Sequence, residues 1–295
     1  MQFSIVIPTL NEGEYLPKLL KSIEQQTFKD YEIIVADAGS NDGTCAVARK
    51  HKAKIVKGGK PGVGRNCGAR IASGRFLVFL DADVKLPKTF LERVYNEMEK
   101  KFLDLATCEF KPLSSLLVDK VLHDLANLSI KLSQFSNPRA GGFCIIVSRR
   151  LFKRIGGFNE RLTLAEDHDF VKRASKYRHL RVLTSTFIYL SIRRLKKEGR
   201  LLLAQKYVHA EIYRMFKGAP EKELFVYEFG NFKDKNKKRV VEKKLIEMER
   251  KLKVLNKRFK TMTDRVDIRN LNGSFDKLKK QFETLRDMFK GVFLR

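Results

Sequence analysis

The apolar positions of residues 3–80 switch period several times, and each switch marks an element. Phe3–Ile7 is apolar at four of its five positions and reads as a strand, ended by Pro8. Leu16, Leu19, Leu20 and Ile23 recur at spacings of three and four, the stripe of an amphipathic helix that Asn11 is placed to cap. Tyr31–Ala36 is a second strand, followed by the polar, turn-rich stretch Asp37–Thr44 and a helix over Cys45–Lys50. Lys54–Val56 gives a brief third strand, Gly58–Gly64 a flexible basic loop, and Arg65–Ala72 a helix. Phe76–Leu80 is unbroken apolar sequence, the pattern of a strand buried on both faces. This β-α alternation predicts an α/β fold with a parallel, doubly wound sheet. Thr9, Asp37, Arg65, Asp81 and Asp83 then gather at the edge where such sheets bind ligands.

Further on, a helix is expected from Pro87 to about Phe102 and a strand over Leu105–Phe110. Leu113, Leu117, Val121, Leu125, Leu128, Leu132 and Phe135 form one helical stripe. It fits a core-facing helix, or else a surface laid against a lipid-borne substrate. Asn137–Gly142 is a loop, Phe143–Val147 a strand, and Arg149–Ile155 a helix before Gly156-Gly157-Phe158. Val182–Ile192, the longest nearly uncharged apolar stretch, is too short to span a bilayer. Arg193–Lys217 sets clustered Lys and Arg beside an apolar stripe, a basic amphipathic helix suited to a membrane surface or to packing on the preceding domain. Val241, Leu245, Met248, Leu252, Leu255, Phe259, Met262 and Val266 alternate four and three apart. Phe275–Val292 repeats the pattern after Asn270–Ser274, so a helical hairpin or an oligomerising coiled coil is expected. The chain divides on this reading into 1–190, 191–217 and 218–295.

Charge narrows the partners. The formal net charge is +27, and +16 of it lies after residue 190. Such a surface attracts polyanions: nucleic acid, anionic lipid or phosphorylated substrates. A nucleic-acid-binding protein, or a scaffold with a basic coiled-coil tail, is the alternative to an enzyme, but no nucleic-acid-binding module is recognisable. The four cysteines lack C-x-x-C spacing and read as free thiols of a reducing compartment. Met1–Ile7 runs straight into a strand pattern, so no signal peptide is expected. Gly62–Cys67 lacks the third glycine of a dinucleotide fingerprint, and no G-x-x-x-x-G-K-[ST] occurs, which excludes the common NAD and P-loop motifs.

Two places carry candidate chemistry. Asp81 and Asp83 follow the central strand, and in an extended chain their side chains point the same way. Two hard oxygen ligands beside a dry strand suit Mg²⁺ or Mn²⁺ that also holds phosphate oxygens. Glu166, Asp167 and Asp169 crowd an expected helix start. Acids favour that end of a helix, and a carboxylate ionised there can also serve as a general base.

Six short motifs bring these residues into one order: Ile5–Glu12, Ile34–Thr44, Gly64–Ala69, Phe79–Asp83, Gly156–Phe158 and Glu166-Asp167. In order and spacing they resemble the family 2 glycosyltransferases over about residues 3–190. The resemblance implies a GT-A fold, a UDP- or GDP-sugar donor, Mn²⁺ or Mg²⁺, and inversion at the anomeric carbon. It places Pro8, Thr9 and Asp37 at the nucleoside, Arg65 at the nucleotide, and Asp81 at the ribose or in the metal shell. Asp83 would ligate the metal and Asp167 would be the base, with Gly141, Gly142, Gly157 and Glu166 on the acceptor side. Closure of the Gly58–Gly64 loop would exclude water. Asp37-Ala38 stands where the family usually has Asp-Asp, and without tryptophan the Q-x-x-R-W motif of processive members is absent. Single-sugar transfer is therefore expected. The resemblance, with the basic Arg193–Lys217 helix, implies an acceptor on a polyprenyl carrier and a cytoplasmic enzyme held peripherally on the inner face of the cell membrane.

Overall fold

A computed structural model describes residues 1–198. Eight strands form one sheet: β1 (Phe3–Thr9), β2 (Tyr31–Asp37), β3 (Lys54–Lys57), β4 (Phe76–Leu80), β5 (Val84–Lys85), β6 (Leu105–Pro112), β7 (Cys144–Ser148) and β8 (Arg181–Leu190). Their order across the sheet is β3-β2-β1-β4-β7-β6-β8-β5. The helices are α1 (Leu16–Glu24), α2 (Thr44–Lys50), α3 (Pro61–Ile71), α4 (Phe90–Lys100), α5 (Leu117–Ser136), α6 (Arg149–Arg154), α7 (Glu166–Ser175) and α8 (Arg193–Glu198).

Strands β1 to β4 run parallel, as the alternating pattern requires. The other half, past the alternating stretch, is antiparallel: β7 runs antiparallel to both β4 and β6, and β5 antiparallel to β8. An apolar run shows that a strand is buried but not which way it points. Every residue of β4 is buried, as its composition demands, because it has a strand on each side and helices over both faces. On one face Val6, Ile34, Phe79, Ile145 and Val147 pack with Leu151, Phe158 and Phe170. The rings of Phe158 and Phe170 stack with centroids 4.2 Å apart. On the other face Phe3 meets the Phe28 and Tyr95 rings edge-on, at 5.5 and 6.3 Å.

Several boundaries depart from the sequence pattern. Strand β1 continues through Pro8, paired with Ala36, because β4 accompanies it only as far as Val6. Beyond that point β1 is an edge on one side, where a missing N–H costs little. Asn11 does not cap α1; it has φ 55° and accepts from the Asn41 amide, joining the loops after β1 and β2. Helix α3 starts at Pro61, so most of the expected Gly58–Gly64 loop is helix. Pro is favoured at the first helical position, and Gly62 and Gly64 are buried there, which leaves no long flap to close. The Val182–Ile192 stretch proves to be mainly β8, missed because its alternation is irregular.

The described residues fall into two units, Met1–Lys111 with Ser133–Ser191, and Pro112–Leu132 with 192–198. Of the apolar stripe, Val121, Leu125, Leu128 and Leu132 of α5 are buried, while Leu113 and Phe135 at its two ends are exposed. Of the basic amphipathic segment only its start, α8, is described. The expected hairpin or coiled coil of 218–295 lies outside the described residues.

Candidate active site

The carboxyl ends of β1 and β2 meet in a polar ledge. Thr9 Oγ1 donates to Asp37 Oδ1 at 2.9 Å, and Asp37 also accepts from the Gly39 and Ser40 amides and the Ser40 hydroxyl. Burial alone would raise the Asp37 pKa. The bonds from Ser40, Thr9 and Gly39 outweigh it, so the carboxyl is held below its ordinary range and stays ionised. Two more links, Glu12 N–H to Thr44 and Gly13 N–H to Asp42, tie the two loops together.

Next along the edge, β4 ends at Leu80 and the chain turns. The Val84 amide lies 3.4 Å from the Asp81 carbonyl, and Ser191, just past β8, donates to the Asp83 carbonyl at 3.1 Å. Asp81 and Asp83 thus lie on a turn, not on an extended strand, and the period-of-two argument does not apply to them. Their proximity comes from the turn itself, which β5 and β8 hold by pairing Val84 with Leu190.

Arg65 lies beneath this turn. Its side chain is 3% exposed; Nη2 donates to Asp81 at 2.9 Å and Nη1 to Glu166 at 2.6 Å. Burial alone would favour the neutral form. The charges of Asp81, Glu166 and Asp167 reverse that and hold the pKa above its ordinary value, so the guanidinium remains a cation. Its carbon lies 5.4 Å from the centre of the Phe158 ring.

Asp167 stands in the first turn of α7, beside Glu166. Its Oδ2 accepts the Gly142 amide at 2.7 Å and its Oδ1 the His168 amide at 2.7 Å. Gly142 has no room for a side chain: a Cβ there would lie 2.2 Å from Arg65 Nη2. One buried cation therefore joins the end of β4, the start of α7 and the loop before β7. Gly141 is in the same loop, its carbonyl accepting the Cys144 amide. Gly157 lies apart, its carbonyl bound by Arg173 and its neighbour Phe158 tied to Asn66 of α3.

Among the described residues no group of three or more His, Cys, Asp or Glu side chains is arranged to hold a metal ion. The donor set still fits the expected cation. Mg²⁺ and Mn²⁺ are bound through one or two carboxylates, with phosphate oxygens and water filling the remaining positions. Asp81, with a side chain 40% exposed, and Asp83 on the same turn would supply that pair.

Comparison with known proteins decides the family. Residues 4–156 match the model of Glycosyl transferase family 2. The chain belongs to this family. The chain is 28% identical over 184 residues to the glycosyltransferase AglE of Haloferax volcanii, covering 58% of this chain and 60% of AglE. The chain thus spans less than two thirds of that relative. Among solved structures, Staphylococcus aureus TarS 1-349 in complex with UDP-GlcNAc has a TM-score of 0.54 at 18% identity, covering 96% of this chain and 80% of that one. The mannosyltransferase PcManGT from Pyrobaculum calidifontis, in complex with GDP-Man and Mn²⁺, has a TM-score of 0.56 at 17% identity, covering 99% and 85%. The Rossmann-like sheet of this family 2 domain is that of the GT-A fold.

The structure brings Thr9 and Asp37 together, and Arg65, Asp81, Glu166, Asp167 and Gly142 together. Asn66 and Phe158 were not anticipated as partners. Asn66 accepts the Phe158 amide and donates to its carbonyl, both at 2.9 Å, across 92 positions of sequence. The Gly64–Ala69 motif marked Asn66 as notable, but no local pattern names a partner so far away.

Proposed function

We propose that this family 2 domain transfers a single sugar, with inversion, from a UDP- or GDP-sugar to an acceptor hydroxyl, assisted by Mn²⁺ or Mg²⁺. The observation that carries this reading is the gathering of Asp81, Glu166 and Asp167 around Arg65 at the carboxyl edge of the sheet. Thr9 and Asp37 would meet the nucleoside, and Asp81 and Asp83 would hold the cation. When bound, the cation offsets the negative charge that grows on the departing diphosphate.

Asp167 is the general base. The amides of Gly142 and His168 orient its carboxylate and leave lone pairs for the proton of the acceptor hydroxyl. As the acceptor oxygen bonds to the anomeric carbon, the bond to the diphosphate breaks on the opposite face. Configuration inverts, and the proton passes to Asp167. TarS has been solved with UDP-GlcNAc and PcManGT with GDP-Man and Mn²⁺, which supports a nucleotide-sugar donor here. We place the acceptor on a polyprenyl carrier and the enzyme peripherally on the inner face of the cell membrane. The basic start of the 191–217 segment supports this, and no helix among the described residues is long and apolar enough to cross a membrane. Self-association would then fall to residues 218–295.

Calorimetric titration of UDP- and GDP-sugars, with and without Mn²⁺, tests the reading. One donor class should bind in a metal-dependent way to the wild type, and Asp83→Ala should remove the metal-dependent part while keeping the fold. Metal-independent binding, or unchanged affinity in Asp83→Ala, refutes the metal assignment.

A further inference from the structure

We infer that Glu166 is a positioning residue. It acts through Arg65 to set Asp81, at the end of β4, relative to Asp167 at the start of α7. The inference rests on the proposed function and deepens it, because it takes Glu166 and Arg65 out of the set that touches substrates.

Geometry carries the argument. Glu166 is buried, and its Oε1 accepts from Arg65 Nη1 at 2.6 Å. The other end of the same guanidinium holds Asp81 at 2.9 Å. Arg65 is sealed in: Phe158 lies against its face, the backbone of Gly142 lies close to Nη2, and its Nε is buried with no hydrogen-bond partner. A planar fork held at both ends transmits direction, which a flexible ammonium would not. Glu166 adjoins Asp167 on α7, and the Gly142 amide beside Arg65 is the donor to Asp167 Oδ2. The span Asp81–Arg65–Glu166 therefore joins the metal-side turn to the helix that carries the base. A buried charge pair of this kind adds little to stability over a well-packed apolar pair. Removing one partner, however, leaves the other charge uncompensated and free to shift.

The test uses the full chain and four proteins: wild type, Glu166→Gln, Arg65→Met and the double variant. The probe is UDP or GDP with Mn²⁺, titrated calorimetrically well below each unfolding temperature. Backbone hydrogen exchange is followed in parallel at Gly142 and across Asp81–Val84. Glu166→Gln should weaken metal-dependent nucleotide binding about tenfold or more, the usual scale for losing a partner that orients a ligand, although Glu166 touches neither metal nor nucleotide. Exchange should accelerate at both places. The double variant should be no weaker than Arg65→Met alone, because both substitutions break one bridge. Arg65→Lys, which keeps the charge but not the fork, should recover only part of the loss.

Multiplicative effects in the double variant, or faster exchange confined to α7, would overturn the inference. So would a Glu166→Gln protein that is less stable but binds with wild-type affinity. If the wild type binds neither nucleotide with Mn²⁺, the proposed function fails, and exchange at Gly142 and Asp81–Val84 still decides whether the bridge couples the two sites.

Discussion

Replacing Gly142 by alanine tests the site most economically, because a single methyl reaches three of its parts. The added Cβ would lie 2.2 Å from Arg65 Nη2 and 3.0 Å from Cζ. Arg65 cannot swing aside without giving up Asp81 or Glu166, since both ends of its guanidinium are engaged in a buried setting. The loop must move instead, and the 2.7 Å bond from the Gly142 amide to Asp167 lengthens. Overpacking costs about 1–3 kcal/mol, and a hydrogen bond to a charged acceptor contributes about 1.5–3 kcal/mol. Part of the second loss is recovered when water solvates Asp167, so we expect a net loss of about 2–3 kcal/mol. For a domain of this size that lowers the melting temperature by roughly 4–12 °C.

Turnover should fall by about 10² through misplacement of the base, with donor affinity changed much less. Gly74→Ala serves as the control. Its Cβ would meet the Ser4 amide at 2.5 Å, just before β4 begins at Phe76 and so at the opposite edge of the sheet. It should destabilise to a similar degree and leave the turnover of folded protein intact. Urea melts and steady-state kinetics on both variants give the comparison. If Gly142→Ala melts and turns over like the wild type, the packing of Arg65 against this loop does not organise the base.

Three further outcomes follow from the same structure. Asp167→Asn keeps the shape of the side chain but cannot take the acceptor proton. Turnover should drop by about 10² or more while calorimetric donor affinity holds, and near-normal turnover would remove Asp167 from its role. Glu32 is buried, which alone would raise its pKa, but Lys54, Ser4 and Ser73 bind it and lower the pKa from 4.5 to about 2. The stability this contributes is complete above pH 4.5 and lost as pH falls towards 2, so Glu32→Gln should flatten urea-melt stability across that window; an unchanged slope contradicts the assignment. The protein should sediment with anionic liposomes at low salt, release at high salt and ignore neutral ones, and Arg193, Arg194, Lys196 and Lys197 replaced by Gln should weaken sedimentation. Failure of the wild type to bind at low salt would favour a soluble acceptor.

The linear order of residues was enough to set the parallel half of the sheet and the family. Phe76–Leu80 reads as a strand covered on both sides, and the motifs from Ile5 to Asp167 lie in an order that unrelated folds do not reproduce by chance. Local pattern records what a residue needs, such as burial, a turn or a cap, because those needs are met within a few positions of chain. Partnership across the fold leaves no such record. Nothing near Arg65 announces that its ends are taken by Asp81 and Glu166, 16 and 101 positions away. Nor does anything near Pro8 show that β4 falls short of it and makes proline harmless there. The antiparallel half, the turn that carries Asp81 and Asp83, and the Gly142 amide that orients Asp167 were likewise decided by tertiary packing. Strand direction and charge pairing are properties of neighbours brought together by the sheet, and the sheet exists only once the chain has folded.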